Sequence, residues 1–72
     1  MAYININKDN AESFVGKSVV IKDGHTEKNG KITKAFYNQY LTEVQITDEN
    51  GEDHYAVGLY ENANNEVGFH LV

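Results

Sequence analysis

The chain carries three histidines, His25, His54 and His70, the side chains best suited to acid-base or metal chemistry near neutral pH. A zinc site needs three or four ligands that converge on the ion, and histidine ligands commonly recur at short paired spacings. The three histidines do not show such a spacing. His54 and His70 fall at polar positions of alternating segments, so we expect solvent-exposed histidines, no metal and no cofactor.

Nucleophile and phosphate motifs are also weak. The segment "GHTEKNGKIT" (24–33) comes close to the phosphate-binding loop Gly-x-x-x-x-Gly-Lys-Ser/Thr. Its glycines are one residue too far apart, however, and Ile32 occupies the hydroxyl position. The serines and threonines lie in no nucleophile-elbow pattern. We therefore do not expect an enzyme.

The basic residues define one candidate binding site. All six are lysines and precede residue 35, so residues 1–36, with four acidic residues, carry a net charge of +2. Residues 37–72 hold seven acidic residues and no base, a net charge of −7, which would repel a polyanion. The lack of arginine removes the side chain best suited to phosphate and guanine. Nucleic acid could be held only by the lysine-bearing part, through Lys22, Lys28, Lys31 and Lys34.

Exposed aromatic residues in the acidic half favour a protein-binding surface instead. Tyr37, Tyr40 and Tyr60 fall at strand ends or outward positions, close to Glu43 and Glu61. Tyrosine offers a rigid, amphipathic contact area, and the acids favour a partner with a basic face. Two simpler interpretations stay open: the tyrosines cap the ends of a barrel, and the acids only maintain solubility. The aromatic residues expected in the core are Phe14, Phe36, Tyr55 and Phe69.

The fold that positions these side chains has 72 residues and no cysteine, so packing and hydrogen bonds must stabilise it. We expect one domain, 1–72, in which residues 1–16 form an N-terminal arm and a short helix. The segment "DNAESFVG" predicts that helix, with Asp9 as N-cap, Glu12 completing a capping box and Gly16 ending it. No apolar run suggests a signal peptide or a membrane span, and we expect a cytoplasmic protein.

From Lys17 onward, apolar and polar residues alternate, which predicts strands with one buried face. In "HYAVGLY", for example, Tyr55, Val57 and Leu59 are expected to face the core. Short connections without helical patterns favour antiparallel neighbours and exclude parallel crossovers. Five short strands would leave open edges, so we expect them to close into a small barrel. The predicted strands cover residues 18–22, 31–37, 41–47, 53–60 and 66–71.

The segment "VVIKDGHTEKNGKITKAF" (19–36) is similar to the KOW motif of ribosomal proteins and transcription elongation factors. As in that motif, an alternating strand leads to Gly24, and Gly30 precedes a second strand. With the predicted strands, the resemblance implies an all-β protein, a five-stranded antiparallel SH3-like barrel with a short N-terminal helical turn. We expect both glycines to serve the turn, in backbone conformations that disfavour other residues.

These observations predict a small non-enzymatic binding module that contacts another protein through its acidic, tyrosine-bearing half. One alternative is a KOW-like nucleic-acid-binding protein that uses the lysine-bearing hairpin at residues 22–34. Another is a phage-type acidic inhibitor that imitates nucleic acid. The opposite charges of the two halves would also permit head-to-tail self-association.

Overall fold

A computed structural model describes residues 2–62, 64 and 66–71 and shows a mainly β protein. The predicted all-β class, with a short N-terminal helix, is therefore confirmed. In chain order the elements are β1 (Ala2–Asn5), α1 (Ala11–Phe14), β2 (Ser18–Asp23), β3 (Thr26–Tyr37), β4 (Thr42–Asp48), β5 (Asp53–Ala56), β6 (Gly58–Glu61) and β7 (Val67–His70).

The strands of the described residues form one seven-stranded sheet in the order β1-β6-β7-β2-β3-β4-β5. Its neighbours are antiparallel except β2 and β7, which pair in parallel with Val19 opposite Val67. The expectation that parallel pairing is excluded is therefore wrong, because four intervening strands, rather than a helix, bring the chain back beside β2. The predicted five-stranded SH3-like barrel is not confirmed, since the sheet has seven strands and does not close.

The sheet curls so that its two ends approach each other. Strand β5 is last in the sheet order and β6 is second from the opposite end, yet only Val57 separates them in sequence. At this corner the carbonyl oxygen of Val57 accepts a hydrogen bond of 2.9 Å from the backbone N–H of Ile6. The corner therefore brings β1, β5 and β6 close together, with β7 as the next neighbour of β6.

Three of the five predicted strands, at 18–22, 41–47 and 66–71, agree with β2, β4 and β7 to within one residue at each end. The other two need correction. Strand β3 begins at Thr26 rather than residue 31, so most of the predicted loop is paired strand and only Gly24 and His25 form the turn. The predicted strand at 53–60 is interrupted at Val57.

The interruption at Val57 changes which side chains face the core. Ala56 and Leu59 are buried, whereas Tyr55 and Val57 are 53% and 51% exposed. The inward prediction is correct for Leu59 and wrong for Tyr55 and Val57, because the bend breaks the alternation between Ala56 and Leu59. Phe36 was also assigned to the core but lies outward, with its ring centroid 6.0 Å from that of Tyr55.

The core is mainly aliphatic. Ile21, Ile32 and Ile46 come from the adjacent strands β2, β3 and β4 and are completely buried. Burying a side chain of this size stabilises a fold by about 1.5–3 kcal/mol. Of the aromatic residues predicted for the core, Phe14 is buried and Phe69 is partly buried against it. The core therefore consists mainly of branched aliphatic side chains and contains few aromatic rings.

Helix α1 is a single turn, and its start differs from the prediction. The side chain of Asn7 accepts hydrogen bonds from the backbone N–H groups of Asp9 (2.8 Å) and Asn10 (3.1 Å). Asn10 is the N-cap residue, but its side-chain oxygen accepts from the N–H of Asn7 instead. The predicted Asp9 cap and its capping box with Glu12 are therefore wrong, whereas Gly16, at φ +95°, follows the helix end as predicted.

In the described part of the chain, no helix has both the length and the apolar character needed to cross a membrane.

The two glycines of the β2–β3 hairpin have different roles. Gly24 has φ +62°, as the turn prediction requires. Gly30 lies inside β3, where a Cβ atom would be 2.9 Å from Ile21 Cδ1 and 3.1 Å from the carbonyl oxygen of Thr47. The predicted turn role is therefore correct for Gly24 and wrong for Gly30, which permits close packing instead.

We expect Gly30→Ala to lower the free energy of unfolding by about 1–3 kcal/mol, because the added methyl group overfills a packed site. The matched change Gly24→Asn should cost less than about 1 kcal/mol, since asparagine tolerates positive φ and nothing lies within 4 Å of the new Cβ. Denaturant unfolding of both variants measures the difference. Equal losses would contradict close packing at Gly30.

Candidate functional site

The tyrosines and acids predicted to bind a protein fall into two groups. Tyr37, Tyr40 and Glu43 lie at one end of the β3–β4 hairpin, whereas Tyr60 and Glu61 lie on β6. In the sheet order, β7 and β2 separate β6 from β3. The residues of the predicted surface are therefore divided between two places in the sheet.

In the hairpin group, Tyr37 is attached to the helix. Its hydroxyl donates a hydrogen bond of 2.8 Å to Glu12 Oε1. Partial desolvation, this hydrogen bond and the charge of Glu12 all raise the pKa of Tyr37. Tyr40, in the connection itself, is 88% exposed, the highest exposure among the large hydrophobic residues that the structure describes. This end of the fold thus offers one exposed ring rather than a shaped site.

On the consecutive strands β1, β6 and β7, the ring of Tyr60 contacts those of Tyr3 and His70. Tyr3 on β1 lies opposite Tyr60 on β6, with their ring centroids 5.1 Å apart in an edge-to-face arrangement. The Tyr60 and His70 ring centroids are 4.5 Å apart. Gly58 makes room for this arrangement, because a Cβ atom there would overlap the phenol of Tyr3. The lack of a side chain at Gly58 therefore lets Tyr3 lie across β6.

The three rings line an open groove of about 320 Å³ at the corner where β5 gives way to β6. Tyr55 and Val57 lie on either side of the buried Ala56 and point outward, and the bend at Val57 separates them from the inward Leu59. Edge-to-face and tilted ring contacts of this kind fix ring positions and leave aromatic faces for a ligand. We call this site the aromatic groove, and its main lining residues are Tyr3, Tyr55, Val57, Tyr60, Phe69 and His70.

The strands that line the aromatic groove carry acidic residues but no basic ones. Strands β5, β6 and β7 belong to the half of the chain that has no lysine or arginine, and Asp53 and Glu61 lie on β5 and β6. Lys22, which lies opposite His70 on β2, forms an ion pair of 3.9 Å with Glu27. Because aromatic faces attract cations and acidic surroundings raise the local cation concentration, the groove suits a positively charged ligand.

Two of the four lysines predicted to bind nucleic acid form ion pairs with carboxylates. Lys22 is paired as described, and Lys28 Nζ lies 3.6 Å from Asp48 Oδ2. Lys31 and Lys34 are exposed on β3. The β2–β3 hairpin that carries all four lies between β7 and β4, which come from the acidic half. The fold therefore interleaves the charges that the sequence separates.

Asp48, at the end of β4, is a buried carboxylate with four polar partners. Its Oδ1 accepts hydrogen bonds from the backbone N–H groups of Asn50 (2.9 Å) and Glu52 (3.0 Å). Its Oδ2 lies 2.9 Å from His54 Nε2 and 3.6 Å from Lys28 Nζ. The hydrogen bond to His54, helped by the two N–H groups and the Lys28 charge, outweighs desolvation and lowers the pKa of Asp48 to about 2.

This cluster also resembles a metal site. Asp48, Glu52 and His54 present potential ligand atoms within 4.8 Å of one another, a donor set that suits zinc or a similar ion. A cation there would have to replace the ammonium group of Lys28, however, and would need the His54 nitrogen that already bonds Asp48. We therefore interpret the Asp48 cluster, formed by Lys28, Asp48 and His54, as a structural element that fixes the β4–β5 turn.

The sequence patterns predict neither the aromatic groove nor the Asp48 cluster. His25 and His70 are exposed as predicted, but the exposed prediction for His54 is wrong, because its side chain is only 14% exposed beside Asp48. A usable signal was the aspartate that opens the turn "DENG", since aspartate at this position often accepts backbone N–H bonds. Tyr3 lies in a segment too short for periodicity, and Tyr55 was assigned inward by an alternation that the bend interrupts.

Comparisons of this chain with protein-family models, with curated proteins and with solved structures find no match.

Proposed function

We propose that this protein is a small, non-enzymatic binding module that holds a lysine- or arginine-bearing segment of another protein in its aromatic groove. The cationic side chain would lie against the faces of Tyr3 and Tyr60, with apolar contacts to Val57. Such cation–π contacts contribute about 0.5–2 kcal/mol each, more when the site is desolvated. Enzymatic activity forms no part of the proposal.

The observation that carries the proposal is the position of the rings. The ring of Tyr60 contacts those of Tyr3 and His70 in a groove whose strands β5, β6 and β7 bear no lysine or arginine. Core packing does not require this arrangement, because the side chain that β6 contributes to the core is that of Leu59. Aromatic rings on strands that carry acids and no bases favour a cationic partner over a neutral or acidic one.

The SH3-like interpretation of the fold belongs to the same proposal. A curled, mainly antiparallel sheet with a short helix would place its aromatic groove beside a sheet corner, and such a groove fits an extended peptide. The resemblance of residues 19–36 to the KOW motif supports this interpretation. Within it, Tyr60 and Glu61 of the predicted protein-binding surface belong to the groove region, and Tyr37, Tyr40 and Glu43 form a separate contact.

Peptide retention tests the proposal. Immobilised protein is exposed to two pools of random extended peptides, one with a fixed central lysine and one with a fixed central glutamate. We expect selective retention of the lysine pool. Tyr60→Leu, which keeps apolar bulk but removes the aromatic face, should weaken retention by at least about tenfold, or about 1.4 kcal/mol.

Two controls accompany this test. Tyr40→Leu removes the most exposed ring of the hairpin group and should leave retention unchanged. A single-stranded oligonucleotide replaces the peptides in a third arm, because binding through Lys22, Lys28, Lys31 and Lys34 would show there and would weaken steeply with salt. Equal retention of the two peptide pools, or retention that is insensitive to Tyr60→Leu, would contradict the proposed function.

A further inference from the structure

Two Asn-Gly dipeptides occur in the chain, and the fold holds them differently. Asn29–Gly30 lies inside β3, where Gly30 pairs with Val19 of β2 and Asp48 of β4. Asn50–Gly51 lies in the exposed turn between β4 and β5. We propose that Asn50 is a site of spontaneous modification, which reacts with water to give aspartate and isoaspartate, whereas strand pairing protects Asn29.

The reaction needs no catalyst beyond a base. The backbone nitrogen of Gly51 loses its proton and attacks Cγ of Asn50, a C–N bond forms, and the Cγ–Nδ2 bond breaks. The amide nitrogen takes up a proton and leaves as ammonia, and a five-membered imide remains. Water then adds to one of the two imide carbonyls and opens the ring. The net change is asparagine plus water giving aspartate or isoaspartate plus ammonia, with no oxidation or reduction.

The local geometry favours Asn50. Gly51 has no Cβ to hinder the attack, and its φ of +84° lies in a region that larger residues avoid. The N–H of Gly51 donates one turn hydrogen bond of 3.0 Å, to the carbonyl of Asp48, and this bond must open first. Because β5 is the last strand in the sheet order, the turn can open without breaking the pairing of β2 with β3 or β7.

The geometry at Asn29 opposes the same reaction. An extended strand holds the following nitrogen away from the side-chain carbonyl, and ring closure requires the backbone to leave that conformation. Both neighbouring strands resist this movement, and the carbonyl oxygen of Asn29 also accepts a hydrogen bond of 2.9 Å from the N–H of Glu49. Reaction at Asn29 therefore requires the middle of the sheet to open.

Modification of Asn50 would act on the Asp48 cluster. Isoaspartate routes the backbone through the former side chain and so adds one carbon between Asn50 and Gly51. The N–H groups of Asn50 and Glu52 both bond Asp48 Oδ1, and the longer backbone cannot keep both bonds in place. A new carboxylate also appears beside the buried one. The modified protein should therefore unfold at a lower temperature than the unmodified protein.

The test compares the two asparagines within one molecule. Folded protein is incubated in mildly alkaline buffer, and peptide mapping by mass spectrometry follows the replacement of the amide NH2 by OH at each site. We expect residue 50 to react at least about tenfold faster than residue 29, and the two to react at similar rates in denaturing urea. Asn50→Gln should abolish the fast reaction, and the matched variant Asn29→Gln should retain it.

Similar rates at the two sites in the folded protein would overturn the proposal. Reaction of Asn50 in urea but not in the folded protein would also overturn the proposal. The turn would then protect Asn50 to the same extent as β3 protects Asn29. Thermal unfolding of the separated isoaspartate form should show a lower midpoint, and an unchanged midpoint would contradict the expected effect on Asp48.

Discussion

Replacing Asp48 with alanine is expected to lower the midpoint of thermal unfolding by about 10 °C or more, one of the two largest effects predicted for a single substitution. The change leaves two backbone N–H groups, at Asn50 and Glu52, without their acceptor. It also removes the counter-charge of Lys28 and the partner of His54. Several partly buried polar groups lose their partner at once, so the loss should exceed that of an ordinary surface ion pair.

Glu52→Ala is the matched control for Asp48→Ala. It removes a neighbouring carboxylate, but the backbone N–H of Glu52 still donates to Asp48. We expect the unfolding midpoint to change by less than about 4 °C, as for other exposed positions. Thermal unfolding followed by circular dichroism measures both variants. Similar midpoints for the two would show that the Asp48 cluster does not fix the turn.

The stability of the fold should depend on pH through the carboxylate of Asp48. Its pKa is lowered from 3.8 to about 2 in the folded protein, so folding favours the ionised carboxylate. The stabilisation is therefore complete above pH 3.8 and is lost as the pH falls through about 2. The stability difference between the wild type and Asp48→Asn should shrink over this range. A difference that stays constant would contradict the lowered pKa.

Leu59→Ala is expected to lower the free energy of unfolding by about 2–5 kcal/mol, because it leaves a cavity in the core. Leu59 is completely buried, and a domain of this size has only about 4–11 kcal/mol of stability in total. The variant should therefore be partly or wholly unfolded at moderate temperature. Urea denaturation, with the wild type measured in parallel, gives the value.

Val57→Ala provides the comparison for Leu59→Ala. Simple alternation places Val57 and Leu59 on the same face of one strand and predicts similar losses. In the structure, the bend leaves Val57 51% exposed, so its truncation should cost no more than about 0.5 kcal/mol. A loss at Val57 as large as that at Leu59 would contradict the bend and the division of this segment into β5 and β6.

Alternation in the sequence predicts the local structure well because each sheet face has a constant environment along a regular strand. The segment "LTEVQIT" shows this, since Val44 and Ile46 are completely buried, as their spacing requires. The same reasoning is wrong at Val57, because a bend changes the direction of every later side chain. No proline or positive-φ glycine marks this bend, and Gly58 is needed for the approach of Tyr3 rather than for a turn.

Long-range pairing could not be predicted from the same patterns. The parallel ladder between β2 and β7 joins Val19 to Val67, residues almost fifty positions apart, and neither segment alone specifies its neighbour. Strand β1 was too short for periodicity to identify, although it supplies Tyr3. The aromatic groove exists only after β1, β5, β6 and β7 have come together. Its composition was visible in the sequence, but its assembly was not.

The distribution of charge in the folded protein could not be predicted from the sequence either. The sequence places every lysine in its first half, which favours a basic surface there, but the fold inserts the β2–β3 hairpin between acidic strands. Lys22 and Lys28 then form ion pairs with Glu27 and Asp48. The acidic residues of β5 and β6 have no such partner on their own strands, because β5, β6 and β7 carry no lysine. This asymmetry is why we propose a cationic partner rather than a polyanion.

Mapping the peptide-binding site by nuclear magnetic resonance is the most direct test of binding in the aromatic groove. Isotope-labelled protein is titrated with the lysine-centred peptides, and backbone amide shifts are followed for each residue. The aromatic groove predicts the largest shifts at Tyr3, Val57, Tyr60 and His70, with little change around Tyr40. Shifts that instead concentrate at Tyr40 or along the lysines of β3, or the absence of any shift at saturating peptide, would contradict binding in the groove.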